Sequence, residues 1–109
     1  MGQLMLKNSF SEKVWQLLSK IHRGRVSTYK QVAIALGNPK AARAVGNACN
    51  ANPFSPKVPC HRVVKSNGLV GGYAQGSFKK HRLLEKEGIM IKNKRIVNFN
   101  TVLIQGSDL

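Results

Sequence analysis

The run Pro59-Cys60-His61-Arg62-Val63 places a thiol next to an imidazole and a guanidinium. Cysteine attacks electrophiles as the thiolate, and neighbouring cations lower the pKa of a thiol toward the physiological range. Proline restricts its own φ angle and favours an extended residue before it, so Pro59 is expected to deliver Cys60 at the end of a defined loop. Cys60 is therefore the candidate nucleophile.

His61 is the candidate base, and an acid that orients it must come from elsewhere in the chain. Adjacent residues of an extended segment point to opposite faces, so Cys60 reaches His61 only through a turn or a bridging water. The chain has four carboxylate side chains: Glu12, Glu85, Glu87 and Asp108. Glu87, at the predicted end of a late helix, completes a candidate Cys-His-Glu set. The cysteines and histidines show no metal-site spacing, and neither a metal nor a cofactor is expected.

The charge of the chain favours nucleic acid as the partner. The formal net charge is +14, and no carboxylate side chain lies between Lys13 and Leu84. Such a chain folds with a continuous positive surface, which binds phosphates by releasing their counterions. An anionic membrane is the rival partner, but no basic helix with a bulky apolar face is found. The alternative is a protein whose charge serves only solubility.

The length of 109 residues predicts a single domain over residues 1–109. No signal peptide, myristoylation motif or membrane-spanning stretch is found in the sequence. We therefore expect an intracellular monomer with free thiols at Cys49 and Cys60, cytoplasmic in a prokaryote or nuclear in a eukaryote.

Capping residues predict two helices in the first third of the chain. Ser9 starts a capping-box pattern before apolar residues at helical spacing, which end at Ile21. Trp15 in this helix is expected to belong to the core. Thr28 caps a second, short helix that Gly37 ends.

Asn38-Pro39 is expected to start a third helix, with the proline in its first turn. The second and third helices then form a helix-turn-helix. A wheel projection of the third helix places small apolar residues on one side: Ala41, Ala42, Val45, Ala48 and Cys49. The other side carries cations and amides with small neighbours, which permits close approach to a polynucleotide: Lys40, Arg43, Ala44, Gly46, Asn47 and Asn50.

Turn signals organise the second half of the chain. Asn67-Gly68 between β-branched and apolar residues predicts a hairpin, which beside a helix-turn-helix is a wing. Ser77 is expected to cap a helix that runs to about Glu87. The tail has a possible strand pair, 89–91 and 95–99, and frayed last residues. The predicted fold is mostly α with a small β-hairpin, a winged helix-turn-helix-like single domain.

Several blocks of the sequence together resemble the C-terminal, DNA-binding and active-site domain of the O6-alkylguanine-DNA alkyltransferases. They occur in order and without an apparent gap from Val14 to Gly88. The blocks are Gly24-Arg25-Val26-Ser27-Thr28-Tyr29, Asn38-Pro39-Lys40-Ala41-Ala42-Arg43-Ala44-Val45-Gly46, Asn52-Pro53 and Pro59-Cys60-His61-Arg62-Val63-Val64. The N-terminal domain that usually precedes this domain in the family is expected to be absent.

The resemblance implies repair of DNA by direct, single-turnover transfer of the alkyl group from O6-alkylguanine to Cys60. His61 would act as a water-mediated base oriented by Glu87, and Asn52 would hydrogen-bond in the active-site turn. Tyr29 would protonate the departing guanine and stand near the target's phosphate.

The resemblance also implies that the third helix enters the minor groove and that Arg43 replaces the extruded base. Base flipping is required because the O6 alkyl group of a stacked guanine is out of a side chain's reach. Lys40, Asn47, Ala44 and Gly46 would then line the DNA contact. Main-chain groups of Cys60 and Val63 would recognise the guanine amine, with Gly71, Tyr73 and Ala74 around the pocket.

One departure from the family and two alternatives bear on this interpretation. Ala74 stands where the family typically has serine, which predicts weakened transfer, and Gly72 and Gln75 predict a roomier pocket that admits larger alkyl groups. The first alternative is an alkyltransferase-like lesion sensor, which binds O6-alkylguanine without repairing it and typically has Trp in place of Cys60. The second is a winged-helix transcription regulator with an incidental cysteine.

Overall fold

The computed structural model describes residues 9–109, and the expected absence of a targeting signal concerns residues outside this range. None of the helices described is both long and apolar enough to cross a membrane. The helices are α1 (Phe10–Leu18), α2 (Tyr29–Ala35), α3 (Ala42–Asn50), α4 (Ser77–Lys86) and α5 (Phe99–Val102). The strands are β1 (Ser27–Thr28), β2 (Val63–Val64), β3 (Ile91–Lys92) and β4 (Arg95–Ile96), and single 3-10 turns span Cys60–Arg62 and Gly106–Asp108. The mostly α prediction is confirmed.

Two apolar clusters meet at strand β2. The first joins α1, α2 and α3 and includes Cys49, Cys60 and Val63. The second lies under α4 and the β3–β4 hairpin and includes Val64 and Leu84. Successive side chains of a strand point to opposite faces, so Val63 and Val64 each enter a different cluster. The 3-10 turn that precedes β2 is thereby held between the two halves of the core.

Two of the three predicted N-caps are confirmed, and the third, Ser77, is wrong. The Ser9 hydroxyl accepts a hydrogen bond from the Glu12 amide at 3.0 Å, and the Thr28 hydroxyl accepts one from the Gln31 amide at 3.0 Å. Helix α1 is shorter than predicted, because it ends at Leu18. Helix α4 begins at Ser77 with Gly76 as its N-cap, one residue before the predicted cap.

The predicted start of the third helix is wrong, because α3 begins at Ala42 and its N-cap is Ala41. Asn38 is held in the preceding turn, where its amide donates to the Ala33 carbonyl and its carbonyl accepts from the Ala41 amide, both at 3.0 Å. Pro39 thus lies in this turn and not in the first turn of the helix. Lys40 consequently projects from the turn of the helix-turn-helix and not from the face of α3.

The predicted wing hairpin at Asn67-Gly68 is also wrong. The chain does turn there, with the Lys65 amide donating to the Leu69 carbonyl at 2.9 Å. Strand β2 pairs instead with β1, in parallel, and Leu69 bridges to Arg95. The physical reason is burial: both residues of β2 are fully inside, and a strand covered on both faces is typical of parallel pairing in an interior. The antiparallel hairpin is β3–β4, as predicted for the tail.

The prediction of a frayed C-terminal segment is wrong as well. The Ile104 amide donates to the Val26 carbonyl at 2.7 Å, and the Ser27 hydroxyl donates to the Ile104 carbonyl at 2.8 Å. The Gly106 amide donates to the Gln31 side-chain oxygen at 2.7 Å. Ile104 and Gly106 are both buried, because they cover apolar residues of the helix-turn-helix. Sequence alone missed this because the pairings join residues about 75 positions apart.

Candidate active site

The candidate nucleophile lies at the end of a loop that Asn52 closes. The Asn52 amide nitrogen donates to the Val58 carbonyl at 2.7 Å, and its amide oxygen accepts from the Phe54 amide at 2.9 Å. Cys60 follows Pro59, opens the 3-10 turn and is only 4% exposed. The cysteine is therefore almost wholly covered by protein atoms.

The second cysteine is an inert neighbour. Cys49 is free and buried on the inner side of α3, and Cys60 is also free. Burial and the nearby Cys60 raise the pKa of Cys49 to about 12. Since the thiolate is the reactive form, Cys49 is not a nucleophile at neutral pH.

His61 is bound on one side by Glu87. Its Nε2 lies 3.0 Å from Glu87 Oε2, although the two residues are 26 positions apart. Burial lowers the pKa of His61, and this effect exceeds the opposing hydrogen bond and charge of Glu87. The imidazole is therefore neutral at pH 7.

The free edge of His61 is the basic one. An ionised carboxylate only accepts hydrogen bonds, so the neutral ring carries its proton on Nε2 and donates it to Glu87. Nδ1 is then the acceptor, and it is buried with no hydrogen-bond partner among the described residues. A buried acceptor aimed at no protein donor is suited to taking a proton from a group in the site.

Arg62 keeps Glu87 ionised. Its Nε and one Nη donate to the two Glu87 carboxylate oxygens at 2.9 and 2.7 Å, and its other Nη donates to the Ile21 carbonyl at 2.7 Å. Burial by itself would raise the pKa of Glu87, but the hydrogen bonds from Arg62 and His61 outweigh it and hold the pKa below the usual value. The 3-10 turn thus supplies both the base and the clamp for its acid.

Tyr29, at the start of α2, packs against the cluster that contains Cys60. Burial raises the pKa of Tyr29 to about 12, so the phenol keeps its proton and can act as a donor. A Cβ at Gly46 would lie 3.8 Å from the Tyr29 ring, in ordinary contact, so this ring is the nearest neighbour of α3 at that position. The candidate donor therefore lies beside the helix that carries the predicted DNA-contact residues.

Lys80 joins three parts of the site. It is fully buried on α4, and its Nζ donates to the Val63 carbonyl at 2.7 Å and the Gly72 carbonyl at 2.9 Å. The same nitrogen lies 3.4 Å from the Tyr29 hydroxyl. Burial lowers the pKa of Lys80 to about 8. The Lys80 ammonium group therefore contacts strand β2, the loop before Tyr73 and the candidate proton donor Tyr29 at the same time.

Tyr73 and Ser55 form a wall beside the nucleophile. Their hydroxyl groups are hydrogen-bonded to each other. Burial and the adjacent Cys60 raise the pKa of Tyr73, against the effect of Ser55. Ala74, which follows, is exposed and brings no hydroxyl to the site, whereas Gly71 lies against the side chain of Lys65.

The face of α3 matches the wheel projection. Arg43, Ala44, Asn47 and Asn50 are exposed, whereas Val45, Ala48 and Cys49 are buried. The Trp15 indole donates to the Ala48 carbonyl at 2.9 Å and braces the inner side of the helix. The predicted DNA-contact residues of α3 thus share one exposed face, with Lys40 in the turn before it.

Sequence reasoning missed two residues of this site. Lys80 is the first: it lies four residues before the buried Leu84, on the inward face of α4. That i, i+4 placement of a lysine on an apolar face was the available signal. Ser55 had no signal, because its contact with Tyr73 depends on how the loop folds.

The sequence matches a known protein family and several of its members. Residues 9–89 match the family described as 6-O-methylguanine DNA methyltransferase, DNA binding domain. A methylated-DNA–protein-cysteine methyltransferase of Salmonella typhimurium is 51% identical over 82 residues, which are 75% of this chain and 48% of that protein. The Homo sapiens protein of the same name is 49% identical over 83 residues, 75% of this chain and 40% of that protein. The chain thus spans about half the length of these curated relatives, or less.

Solved structures agree with the sequence match. OGT of Mycobacterium tuberculosis, solved in complex with DNA, superposes with a TM-score of 0.71 at 42% identity and covers 73% of this chain and 50% of that one. S. pombe Atl1, solved with damaged DNA containing O6-carboxymethylguanine, superposes with a TM-score of 0.79 at 30% identity and covers 88% of this chain and 94% of that one. The chain belongs to the 6-O-methylguanine DNA methyltransferase family, of which residues 9–89 form the DNA-binding domain.

Proposed function

We propose that this protein repairs DNA by transferring the alkyl group of O6-alkylguanine to its own Cys60, once per molecule. The observation that carries the proposal is the relay beside the thiol. His61 is neutral, is held at Nε2 by Glu87, and has its buried Nδ1 unpartnered among the described residues. This arrangement supplies a base next to a confined thiol, as nucleophilic catalysis by cysteine requires.

The chemistry is a displacement at the alkyl carbon. The Cys60 proton passes through a water to His61 Nδ1, and the sulfur forms a bond to the alkyl carbon as the carbon–O6 bond breaks. The electron pair of that bond stays on the guanine, and Tyr29 supplies a proton to its ring nitrogen. The thioether has no low-barrier route back to a thiol, so each molecule reacts once.

The pocket is completed by main-chain and loop groups. The carbonyls of Cys60 and Val63 recognise the guanine amine; the Val63 carbonyl also accepts from Lys80, and a carbonyl oxygen has two lone pairs. Gly71, Tyr73 and Ala74 belong to the loop that borders the alkyl group. Since Ala74 adds no hydroxyl at O6, transfer is slower than with serine there. Gly72 and Gln75 leave a roomier pocket, which admits larger alkyl groups.

DNA binding rests on the exposed face of α3. The protein binds as a monomer, with α3 in the minor groove and the small residues Ala44 and Gly46 closest to the sugar edges. Arg43 enters the stack in place of the flipped guanine, a step that brings O6 within reach of Cys60. Lys40, Asn47 and Tyr29 contact the backbone nearby, which suits the net charge of +14.

The decisive experiment is an intact-mass measurement after incubation with a duplex that contains one O6-methylguanine. The mass should rise by one methyl group, mapped by peptide analysis to Cys60 and not to Cys49. Cys60→Ala should bind the same duplex and gain no mass. Loss of folding in Cys60→Ala, or methylation of Cys49 instead, would contradict the assignment.

A lesion sensor is the second candidate, and one observation favours it. S. pombe Atl1, solved with damaged DNA, superposes on this chain with a TM-score of 0.79, whereas OGT of Mycobacterium tuberculosis superposes with 0.71. A sensor would bind the O6-methylguanine duplex more tightly than an unmodified duplex and leave the mass of the protein unchanged. The same incubation, followed by a binding titration, therefore separates the two candidates.

A further inference from the structure

A groove of about 560 Å³ lies next to the active-site loop but contains neither Cys60 nor the partners of His61. We call it the Phe78 groove, and its side-chain lining is Lys65, Leu69, Ser77, Phe78, His81 and Lys94. Its volume is within the range of pockets that hold small organic ligands or single residues of a polymer. Gly71 and Gly72, of the loop proposed to border the alkyl group, complete the lining, but the proposed transfer reaction gives the six side chains no role.

The two lysines of the Phe78 groove come from separate elements. Lys65 belongs to the turn after β2 and Lys94 to the β3–β4 hairpin, and His81 of α4 is the third basic residue of the lining. The lining residues include no carboxylate. Cations that the fold collects from distant parts of the chain, with no acid among them, are complementary to an anion.

Contacts of the Lys65 side-chain stem and of the Lys94 backbone bring these two lysines to the groove. Gly71 has φ +78°, a conformation that side-chain-bearing residues rarely adopt, and the stem of Lys65 lies against it. The Val70 amide donates to the Lys94 carbonyl at 3.0 Å, which joins the hairpin turn to the groove. Lys65 and Lys94 are therefore brought to the same groove by contacts that do not depend on their charge.

The exposed ring of Phe78 indicates which class of anion the groove would bind. Its side chain is 74% exposed, although burial of such a ring is strongly favourable. The Arg82 guanidinium lies 5.7 Å from the centroid of the ring. An open aromatic ring among cations is typical of sites where unpaired bases stack and phosphates pair with the flanking charges. An acidic peptide would use the cations and leave the ring without a partner.

We propose that the Phe78 groove is a second nucleic-acid site, in which an unpaired DNA nucleotide stacks on Phe78 and its phosphates pair with Lys65 and Lys94. Gly72, which lines the groove, accepts a hydrogen bond from Lys80, so the groove shares a wall with the active site. The proposal shares with the proposed function only that the partner is DNA. It holds whether or not Cys60 accepts an alkyl group.

The test uses an octathymidylate strand, which has no guanine and cannot be a substrate for transfer. Phe78→Ala in the full chain should weaken binding about tenfold, the effect expected for one stacked base. The double variant Lys65→Gln, Lys94→Gln should reduce the slope of log affinity against log salt by about 1.4, or about 0.7 for each phosphate. The matched controls are Phe10→Ala on α1, which should leave the affinity unchanged, and Lys20→Gln just after α1, which should lower the slope by less than about 0.7.

A measurement on the unaltered protein removes any dependence on how the variants fold. Titration with octathymidylate should shift the NMR signals of the Phe78 and His81 rings, and an abasic octamer of equal charge should bind about tenfold more weakly. Unshifted ring signals, or equal affinity for the abasic strand, would overturn the proposal. Tighter binding of octaglutamate than of octathymidylate would instead make the groove a site for acidic protein segments.

The outcomes also separate this site from the proposed function. The Phe78→Ala variant should transfer a methyl group from duplex O6-methylguanine at the rate of the unaltered protein. If Arg43→Ala weakens octathymidylate binding and Phe78→Ala does not, the single strand binds at α3 and the second site does not exist. If the unaltered protein shows no methyl transfer yet passes the strand-binding test, only the proposed function fails.

Discussion

At the scale of residues, the Glu87 carboxylate binds both Arg62 and His61. Arg62 holds both carboxylate oxygens and keeps them ionised at the pH where His61 is neutral. An ionised Glu87 in turn accepts the Nε2 proton and makes Nδ1 the basic nitrogen. Arg62 is thus a positioning residue that acts on His61 through Glu87. Because it lies two residues after Cys60, the same 3-10 turn carries the candidate nucleophile, the candidate base and the residue that holds the acid.

The variant Glu87→Gln should slow alkylation of Cys60 by roughly tenfold to a hundredfold. The neutral amide no longer makes Nδ1 more basic, and a positioned general base contributes about 10²–10⁴ in rate. The measurement is the rate of transfer from free O6-benzylguanine across pH 5–9, which bypasses DNA binding. Glu85→Gln, an exposed carboxylate on the same helix, is the control. An unchanged pH–rate profile in Glu87→Gln would remove Glu87 from the relay.

Lys80 predicts a specific pH dependence of stability. Its pKa is about 8 in the folded protein and about 10.4 in an unfolded chain, so between these values the unfolded state binds a proton that the folded state has lost. The contribution of Lys80 to the free energy of unfolding therefore rises as the pH rises from about 8 to about 10.4. The difference in stability between the unaltered protein and Lys80→Met, measured by urea denaturation, should increase over that window. A constant difference would show that Lys80 is not buried as a charged group at pH 7.

At the scale of elements, α3 carries the predicted DNA-contact residues and borders the candidate site. Its inner residues are small, and the Tyr29 ring is its nearest neighbour at Gly46. Its outer residues carry the cation and the amides. The candidate proton donor therefore lies next to the helix that is proposed to bind DNA.

The variant Arg43→Ala should separate base flipping from alkyl transfer. Removal of the side chain that replaces the flipped base should slow transfer from duplex O6-methylguanine by at least about tenfold, while transfer from free O6-benzylguanine stays unchanged. Stopped-flow or quench assays on both substrates provide the comparison. Lys20→Ala, in the turn after α1, serves as the control for loss of one exposed charge. Equal losses on the two substrates would show that Arg43 acts on the site and not on the stack.

The C-terminal segment is a second element with a definable role, because it clamps the helix that carries Tyr29. A Cβ at Gly106 would lie 2.5 Å from the Gln31 carbonyl oxygen and 3.2 Å from the Ala35 amide, both of which are backbone atoms of α2. Gly106→Ala should therefore destabilise the protein by about 1–3 kcal/mol. That change lowers the midpoint of thermal unfolding by about 4 °C or more. Gly72→Ala, where a Cβ meets nothing within 4 Å, is the control and should have little effect.

At the scale of the whole molecule, the net charge of +14 dominates the encounter with DNA. The cations lie on several elements, including α1, α3 and the β3–β4 hairpin, while three of the four carboxylates are exposed or half-exposed away from the relay. Only Glu87 is committed to a site, through Arg62 and His61. The surface as a whole is therefore available for phosphate contacts.

Binding to unmodified duplex DNA should be strongly salt-dependent. If about six phosphates are contacted, affinity should fall by about a thousandfold between 50 and 200 mM salt. Lys40→Ala, which removes a cation proposed to contact the backbone, should reduce the slope of log affinity against log salt by about 0.9, the value for one lost phosphate contact. Fluorescence anisotropy over a salt series measures both. A slope near zero would mean that the charge of the chain does not serve DNA binding.

The cysteine motif, the N-caps at Ser9 and Thr28, and the two faces of α3 were all determined by the sequence itself. Each depends on residues within a few positions, where helical spacing and local hydrogen bonds set the outcome. The family resemblance had the same source, since its blocks are read directly from the chain.

Tertiary structure decided the long-range pairings. The packing of the apolar faces decides whether β2 pairs with β1 or with Leu69. It also decides whether the C-terminal segment is frayed or bound to Gln31, and how Glu87 reaches His61. These contacts bring together residues from 26 to about 77 positions apart, and their free energy comes from burial that no local pattern encodes. The same closure buried Lys80 and gathered the cations of the Phe78 groove, which is why only the folded molecule reveals them.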